Sequence, residues 1–345
     1  MAAAAKSVPG RPAEEACTAN DVQEMRATLL AWYTAHKRDL PWRATRDPYR
    51  IWVSEIMLQQ TRVAAVLEHY RLFLAAFPTV EALAAANEPE VLTLWSGLGY
   101  YRRARMLHRA ARLVVSELAG VMPRTAEALL ALPGVGAYTA AAVASIAFDE
   151  PVAVVDGNVE RVLARVAGWS AVEAGCVTKV RTFADMLVDP ARPGDFNQGM
   201  MELGATVCLP RAPLCLGCPW QQWCHTRGEH PVAVRRPQQR QHSVRAVWLR
   251  GSGATQQVLL VQRAADASLM AGMWELPGYD PKPDESPEFT ARHAITVTNH
   301  VVDVYVARAE AARGMAGEWV PVNELSRRAL TGLTRKVLRR LGCIK

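Results

Sequence analysis

The chain has 345 residues, half of them hydrophobic, with 40 Lys plus Arg against 33 Asp plus Glu and a net charge of +7. That apolar content is enough for at least one substantial core, which excludes a chain without one, and the length favours two domains. A pI near 9.2 favours association with a polyanion through phosphate neutralisation and counterion release.

The opening MAAAAKSVPGRPAEEACTAN offers only a short apolar stretch before Lys6, followed by Pro, Gly and acids. It lacks the longer apolar region of a secretory signal, so residues 1–19 are expected to be a disordered tail. No run of about 18 apolar residues occurs, so no membrane span is expected. From about residue 20 to 225 the pattern is almost wholly helical, beginning with Leu29, Leu30, Trp32 and Tyr33. Helix starts are marked by Thr79 before VEALAAA, by Pro89 at an early helical position and by Thr125 before AEALLAL. Gly97 and Gly120 mark stops.

LPGVGAYT at 132–139 separates two helical stretches. Gly134 and Gly136 permit a tight turn whose backbone comes close to a partner, and the following helix presents free N–H groups there, a geometry that grips a phosphate without reading sequence. Taken alone, the same motif also suits a plain turn between packed helices. At 154–158, VVDGN, an apolar run ends in Asp156 at a helix start, a position that suits an N-cap as well as chemistry.

Seven cysteines is an odd number, and four of them fall within 17 positions as Cys208-x6-Cys215-x2-Cys218-x5-Cys224, while Cys17, Cys176 and Cys343 stand alone. This distribution points to metal binding rather than disulfides. Four thiolates are the ligand count of a structural zinc or of a cubane iron-sulfur cluster, and the residues themselves leave both open. Residues 231–244 are basic and rich in Gln and Pro, and are read as a linker. Beyond it the period shortens to the β-rich runs VRAVWLR, QVLLVQR and HVVDVYVARA, with a basic helix near LTRKVLRRL, so residues 245–345 are expected to form a smaller α+β domain.

Hairpin, acid and four-cysteine loop, in this order and spacing, resemble the helix-hairpin-helix base-excision glycosylase superfamily over residues 25 to 224. Within it the chain resembles the MutY-type adenine DNA glycosylases through LPWR at 40–43, SEIMLQQTRV at 54–63, LWSGLGYYRRAR at 94–105, LPGVGAYTA at 132–140, VVDGNVERVL at 154–163 and FNQGMMELG at 196–204. The expected fold is mainly α: a two-lobed helix-hairpin-helix glycosylase domain over 20–230, carrying a [4Fe-4S] cluster on Cys208, Cys215, Cys218 and Cys224. The expected function is hydrolysis of the N-glycosidic bond of adenine opposite 8-oxoguanine or guanine in duplex DNA. The resemblance further implies a soluble monomer, cytoplasmic and nucleoid-associated in a bacterium, nuclear or mitochondrial in a eukaryote.

Glu55 lies among apolar neighbours in WVSEIML, where desolvation favours its protonated form, so it is the expected general acid towards adenine N7. The resemblance implies that the Asp156 carboxylate stabilises the oxocarbenium ion, and that Tyr138 and Asn158 orient Asp156 and the attacking water. The related endonuclease III carries a lysine nucleophile where this chain has Tyr138, so no Schiff base with the sugar is expected. Reaching the base requires its extrusion from the duplex. By the same resemblance, Gln60 and Tyr100 wedge into the gap, with the arginines after Tyr100 meeting phosphates, and Arg43, Leu58 and Glu202 line the adenine pocket. An ordinary helix-surface acid is the alternative for Glu202.

LMAGMWELPGY at 269–279 resembles the segment before the Nudix box in the C-terminal domain of these glycosylases. The acidic magnesium-binding helix is missing, so no pyrophosphatase activity is expected. In place of the family's Phe-Ser-His loop, which recognises oxidised guanine, RHAITVTNH at 292–300 puts Ile295-Thr296 where Phe-Ser stands, with the histidine lost or displaced to His300. Thr296 is the candidate contact. Two rival functions are a mismatch thymine glycosylase of the same superfamily and a non-catalytic iron-sulfur DNA-binding protein.

Overall fold

A computed structural model describes residues 17–170, 175–230, 239–267, 269–282, 284–295, 298–312 and 314–344. The chain divides into two compact units, Met1–Ile56 with Val121–Val234 and Met57–Gly120 with Arg235–Lys345. The helical stretch expected from 20 to 230 is thus shared between them.

In the first unit, helix α1 (Ala19–His36) starts on a reciprocal cap: Thr18 Oγ1 accepts from the Asp21 N–H and Asp21 Oδ2 accepts from the Thr18 N–H. Its buried face is Met25, Leu29, Leu30 and Tyr33. Helix α2 (Pro48–Leu58) begins at Asp47, whose Oδ1 accepts from the N–H groups of Tyr49 and Arg50. Every residue from Ile51 to Met57 is buried, as a segment apolar on all sides demands.

Farther along this unit come α7 (Ala126–Leu129), α8 (Ala137–Phe148), α9 (Gly157–Ala167), α10 (Cys176–Leu187) and α11 (Pro193–Thr206). Val162, Leu163, Val180, Phe183, Phe196, Leu203 and Trp220 join the buried face of α1 in one apolar core. Small residues let the helices approach closely. A Cβ on Gly194 of α11 would stand 2.8 Å from Ile146 Cα and Ser145 O of α8, and one on Gly204 would stand 2.6 Å from Asn158 Cβ of α9.

The second unit holds α3 (Val63–Ala76), α4 (Val80–Ala85), α5 (Glu88–Trp95) and α6 (Arg102–Glu117), with strands β1 (Gln239–Arg250), β2 (Gln257–Gln262), β3 (Trp274–Glu275), β4 (Phe289–Ile295), β5 (Thr298–Arg308) and β6 (Glu318–Pro321), then α12 (Gly332–Arg340). Thr79 and Thr125 cap α4 and α7 as their spacing predicts, and Gly97 and Gly120 follow α5 and α6 with φ of 114° and 79°. The sheet order is β3-β2-β1-β5-β4, with β6 also on β2. β1 and β5 run parallel from Gln239↔Thr298 to Leu249↔Arg308. One sheet face packs Val247, Val258, Val302 and Val304 against Val337 and Leu338 of α12, and the other carries Trp248, Tyr279, Tyr305 and Trp319.

β1 begins inside the stretch read as linker, because its first residues are exposed on the sheet and carry no apolar alternation. Residues 231–238 and Thr296 lie outside the described residues. Among the described residues no helix is long and apolar enough to cross a membrane.

Candidate active site

The first unit gathers its carboxylates from three helices. Glu55, on the third turn of α2, is 5% exposed. The Tyr138 hydroxyl, from the first turn of α8, donates to Glu55 Oε2 at 2.7 Å and lies 3.3 Å from Met201 Sδ on α11. Burial pushes the Glu55 carboxyl up to about 7; the Tyr138 hydrogen bond opposes this, the Asp156 charge adds to it and Arg43 opposes it. Burial, then the Glu55 charge and hydrogen bond, holds the Tyr138 phenol well above its ordinary range, so it remains the donor of the pair.

Asp156 is the N-cap of α9. Its Oδ1 accepts from the N–H groups of Asn158 at 2.8 Å and Val159 at 2.7 Å, and its Oδ2 accepts from Asn158 Nδ2 at 2.9 Å. The N-cap reading holds, and the cap fixes the carboxylate's orientation. Asn158 thus donates to both Asp156 oxygens. The Tyr138 hydroxyl does not: it is engaged on Glu55, because the first turn of α8 meets α2.

Arg161 extends this chain. Its Nη2 donates to Asn158 Oδ1 at 2.9 Å and to Gly204 O at 2.7 Å, while its Nε donates to Cys208 O at 2.9 Å. Sequence reasoning missed this residue and Met201, for which the only signal was membership of the matched blocks.

Glu202 is no surface acid. Its side chain is fully buried, and it accepts from Arg38 Nε and Nη2 and from Arg43 Nη2, each at 2.7 Å. Burial alone raises its pKa, but the hydrogen bonds from Arg38 and Arg43 outweigh it and hold the carboxyl at about 2. Arg38, two residues before the start of LPWR, supplies two of these three bonds.

In the hairpin, Gly134 has φ 76°, a left-handed turn position, whereas Gly136 is extended and serves as N-cap of α8. A Cβ on Gly136 would meet nothing within 4 Å. As N-cap it supplies no side-chain hydrogen bond to the helix start, which leaves open space there.

Three further candidates lie in the second unit. Leu58 is half-buried at the end of α2, and Gln60 and Tyr100 are exposed with φ of 55° and 49°, uncommon values for side-chain-bearing residues. Arg103 ties their two turns together, donating to Met57 O, Gln59 O and Gly99 O, and its guanidinium lies 5.4 Å from the Tyr100 ring centroid. This arginine is therefore occupied within the protein, unlike the phosphate-facing role expected for it.

No disulfide joins any of the seven cysteines. Cys208, Cys215, Cys218 and Cys224 line one cavity of about 400 Å³ together with Val162, Arg165 and Pro213. Among the described residues no three His, Cys, Asp or Glu side chains converge on a single-ion position. Burial, relieved in part by the Trp220 backbone and reinforced by the other three thiols, pushes Cys218 up to about 11. Arg165 Nη1 donates to Cys208 Sγ at 3.3 Å, and the Arg227 N–H to Cys224 Sγ at 3.5 Å.

Residues 53–179 match the family described as HhH-GPD superfamily base excision DNA repair protein. A solved thermostable thymine-DNA glycosylase superposes with a TM-score of 0.55 at 33% identity, covering 60% of this chain and 96% of that one. The chain belongs to the HhH-GPD superfamily. Adenine DNA glycosylases from mouse and from Mycobacterium tuberculosis are 43% and 46% identical to this member, over 79% and 57% of its length. It covers 63% of the mouse relative and 66% of the mycobacterial one, and so spans less than two thirds of either relative's length.

Proposed function

We propose that the chain is a monofunctional adenine DNA glycosylase acting on adenine opposite 8-oxoguanine or guanine in duplex DNA. The observation that carries this reading is the buried Glu55 carboxyl, held near pKa 7 and hydrogen-bonded by Tyr138, beside the capped carboxylate of Asp156. An acid poised near neutrality suits protonation of a purine N7, an atom that a pyrimidine lacks. This chemistry favours adenine over the thymine named for the solved relative.

In the proposed reaction Glu55 gives its proton to adenine N7 and the N9–C1′ bond breaks, its electron pair leaving with the base. Asp156 stabilises the cationic sugar, water adds to C1′ and its proton passes to a carboxylate. Tyr138 supplies no amine, so adenine is released and the sugar stays in the unbroken strand as an abasic site. Gly134, Gly136 and the start of α8 hold a phosphate, Gln60 and Tyr100 fill the space left by the extruded base, and Arg43, Leu58 and Glu202 line the pocket.

The four-cysteine loop suits a [4Fe-4S] cluster: its thiols surround a cavity rather than converging on one point, and two N–H donors aim at sulfur, as metal-bound thiolates require. Such a cluster would lock the loop that Arg161 and Arg165 grip. The sheet unit is proposed as a Nudix-like domain that reads the opposite base, since the alignment with the mouse enzyme covers more of the chain than the helical region alone supplies.

Single-turnover assays on duplexes with adenine, thymine or uracil opposite guanine or 8-oxoguanine test the function. Release of adenine alone is expected; release of thymine opposite guanine would assign the rival activity. Iron and sulfide analysis of anaerobically purified protein should show four of each per chain. Stoichiometric zinc without iron would refute the cluster.

A further inference from the structure

Asp156 is delivered by a segment, Pro151–Val155, that is neither helix nor strand and so has no ladder to fix its backbone. One side chain replaces that ladder. Asn197 of α11, 1% exposed, accepts from the Val154 N–H at 3.0 Å through Oδ1, and its Nδ2 donates to Val152 O and to Ser145 Oγ of α8, each at 2.9 Å. We propose that Asn197 is a positioning residue, which sets where Asp156 stands relative to the Glu55–Tyr138 pair. The inference rests on the glycosylase reading above.

Three observations carry it. The amide grips both Val152 and Val154, two residues short of Asp156, as a neighbouring strand would, and thereby fixes their height and direction together. Packing beside the segment leaves a small gap lined by Ala153, Val154, Leu163, Leu187 and Phe196, and the amide bonds add a direction that apolar contacts there do not supply. The third bond, to Ser145, refers the segment to α8, the helix that carries Tyr138. Gly194, whose missing side chain admits α8, brings Asn197 within reach of it. Removing the amide would also leave the Val154 N–H and the Val152 carbonyl without their partner, so the test reads local protection beside the rate.

The test uses the full chain with Asn197→Leu, which keeps volume and loses all three bonds, and Ser145→Ala, which loses only the link to α8. Single-turnover base release, duplex affinity and amide exchange across residues 152–159 are measured on each. For Asn197→Leu, base release should fall by on the order of 100-fold with affinity nearly unchanged, and exchange should quicken at Val154, Asn158 and Val159 while the rest of the first unit stays protected. Ser145→Ala, which keeps the two backbone bonds, should lower the rate too, but by less than Asn197→Leu; a parental rate would show that the link to α8 plays no part. If Asn197→Leu does not fold, Asn197→Ser, too short to span both backbone groups, replaces it with the same expectations. Parental rate in the Asn197 variant, or a rate loss matched by quicker exchange throughout the unit, overturns the proposal. If the parent releases no base from any duplex the glycosylase reading fails, and exchange at 152–159 alone then supports or overturns the placement.

Discussion

Glu55 holds its proton well above the ordinary carboxylate range because burial opposes the charged form, and the Asp156 carboxylate deepens that preference while Tyr138 and Arg43 work against it. As the proposed acid, it should support base release below about pH 7 and lose that support as pH rises through about 7. Tyr138→Phe removes a hydrogen bond that favours the ionised form. The descending limb of the single-turnover pH profile should therefore move to higher pH in that variant, and a limb that stays or moves down would show that Glu55 does not govern it. The sign for stability follows from the same shift. With the folded value raised above the ordinary 4.5, the group's contribution is fully present below about 4.5 and is lost as pH rises through about 7. Glu202 behaves oppositely: Arg38 and Arg43 hold it ionised, and that contribution is lost only as pH falls through about 2.

Helix α11 acts as the ruler of the first unit. Gly194 meets α8, Asn197 the Asp156 segment, Gly199 the Tyr33 side chain on α1, Met201 the Tyr138 hydroxyl, Glu202 the two arginines, and Gly204 the Asn158 side chain. The block FNQGMMELG thus has a steric or polar task at nearly every turn. Gly204→Ala places a methyl carbon 2.6 Å from Asn158 Cβ and 3.2 Å from its backbone, which cannot yield as a flexible side chain would. Despite alanine's better helix propensity, the variant should be less stable by about 1 to 3 kcal/mol and should release base more slowly, as measured by denaturant midpoint and single-turnover rate. A stabilised variant with parental rate would show that α9 shifts without cost.

At the scale of the whole molecule, the division of the chain changes what a truncation can show. Residues 57–120 belong with the sheet: Ser96 Oγ and the Tyr101 hydroxyl both donate to Leu330 O, at 3.0 and 3.1 Å, and Arg105 donates to Ala271 O. A chain ending near residue 230 would leave the buried Ser96 and Tyr101 hydroxyls without their acceptor. Amide protection should then fall across α5 and α6 while that of α9 and α11 persists, and selectivity for adenine opposite 8-oxoguanine over guanine should shrink. Uniform protection in the truncated chain would show that these helices do not depend on the sheet.

The local features that the sequence determined are those set by short-range physics. Thr79, Thr125 and Asp156 cap helices because a side-chain oxygen reaches an N–H two or three residues on, and Gly97, Gly120 and Gly134 take left-handed turns that Cβ atoms disfavour. Glu55 stood out because its neighbours in sequence are also its buried neighbours on one helix, and the four cysteines because they share one loop. What the tertiary structure decided are pairings across more than forty residues, which leave no local trace. Tyr138 turns to Glu55 rather than to Asp156, Arg38 shares Glu202 with Arg43, Arg103 turns inward, and Asn197 holds the segment before Asp156. A buried polar group must find a partner wherever the fold brings one, and only the packed helices and sheet determine which one is near.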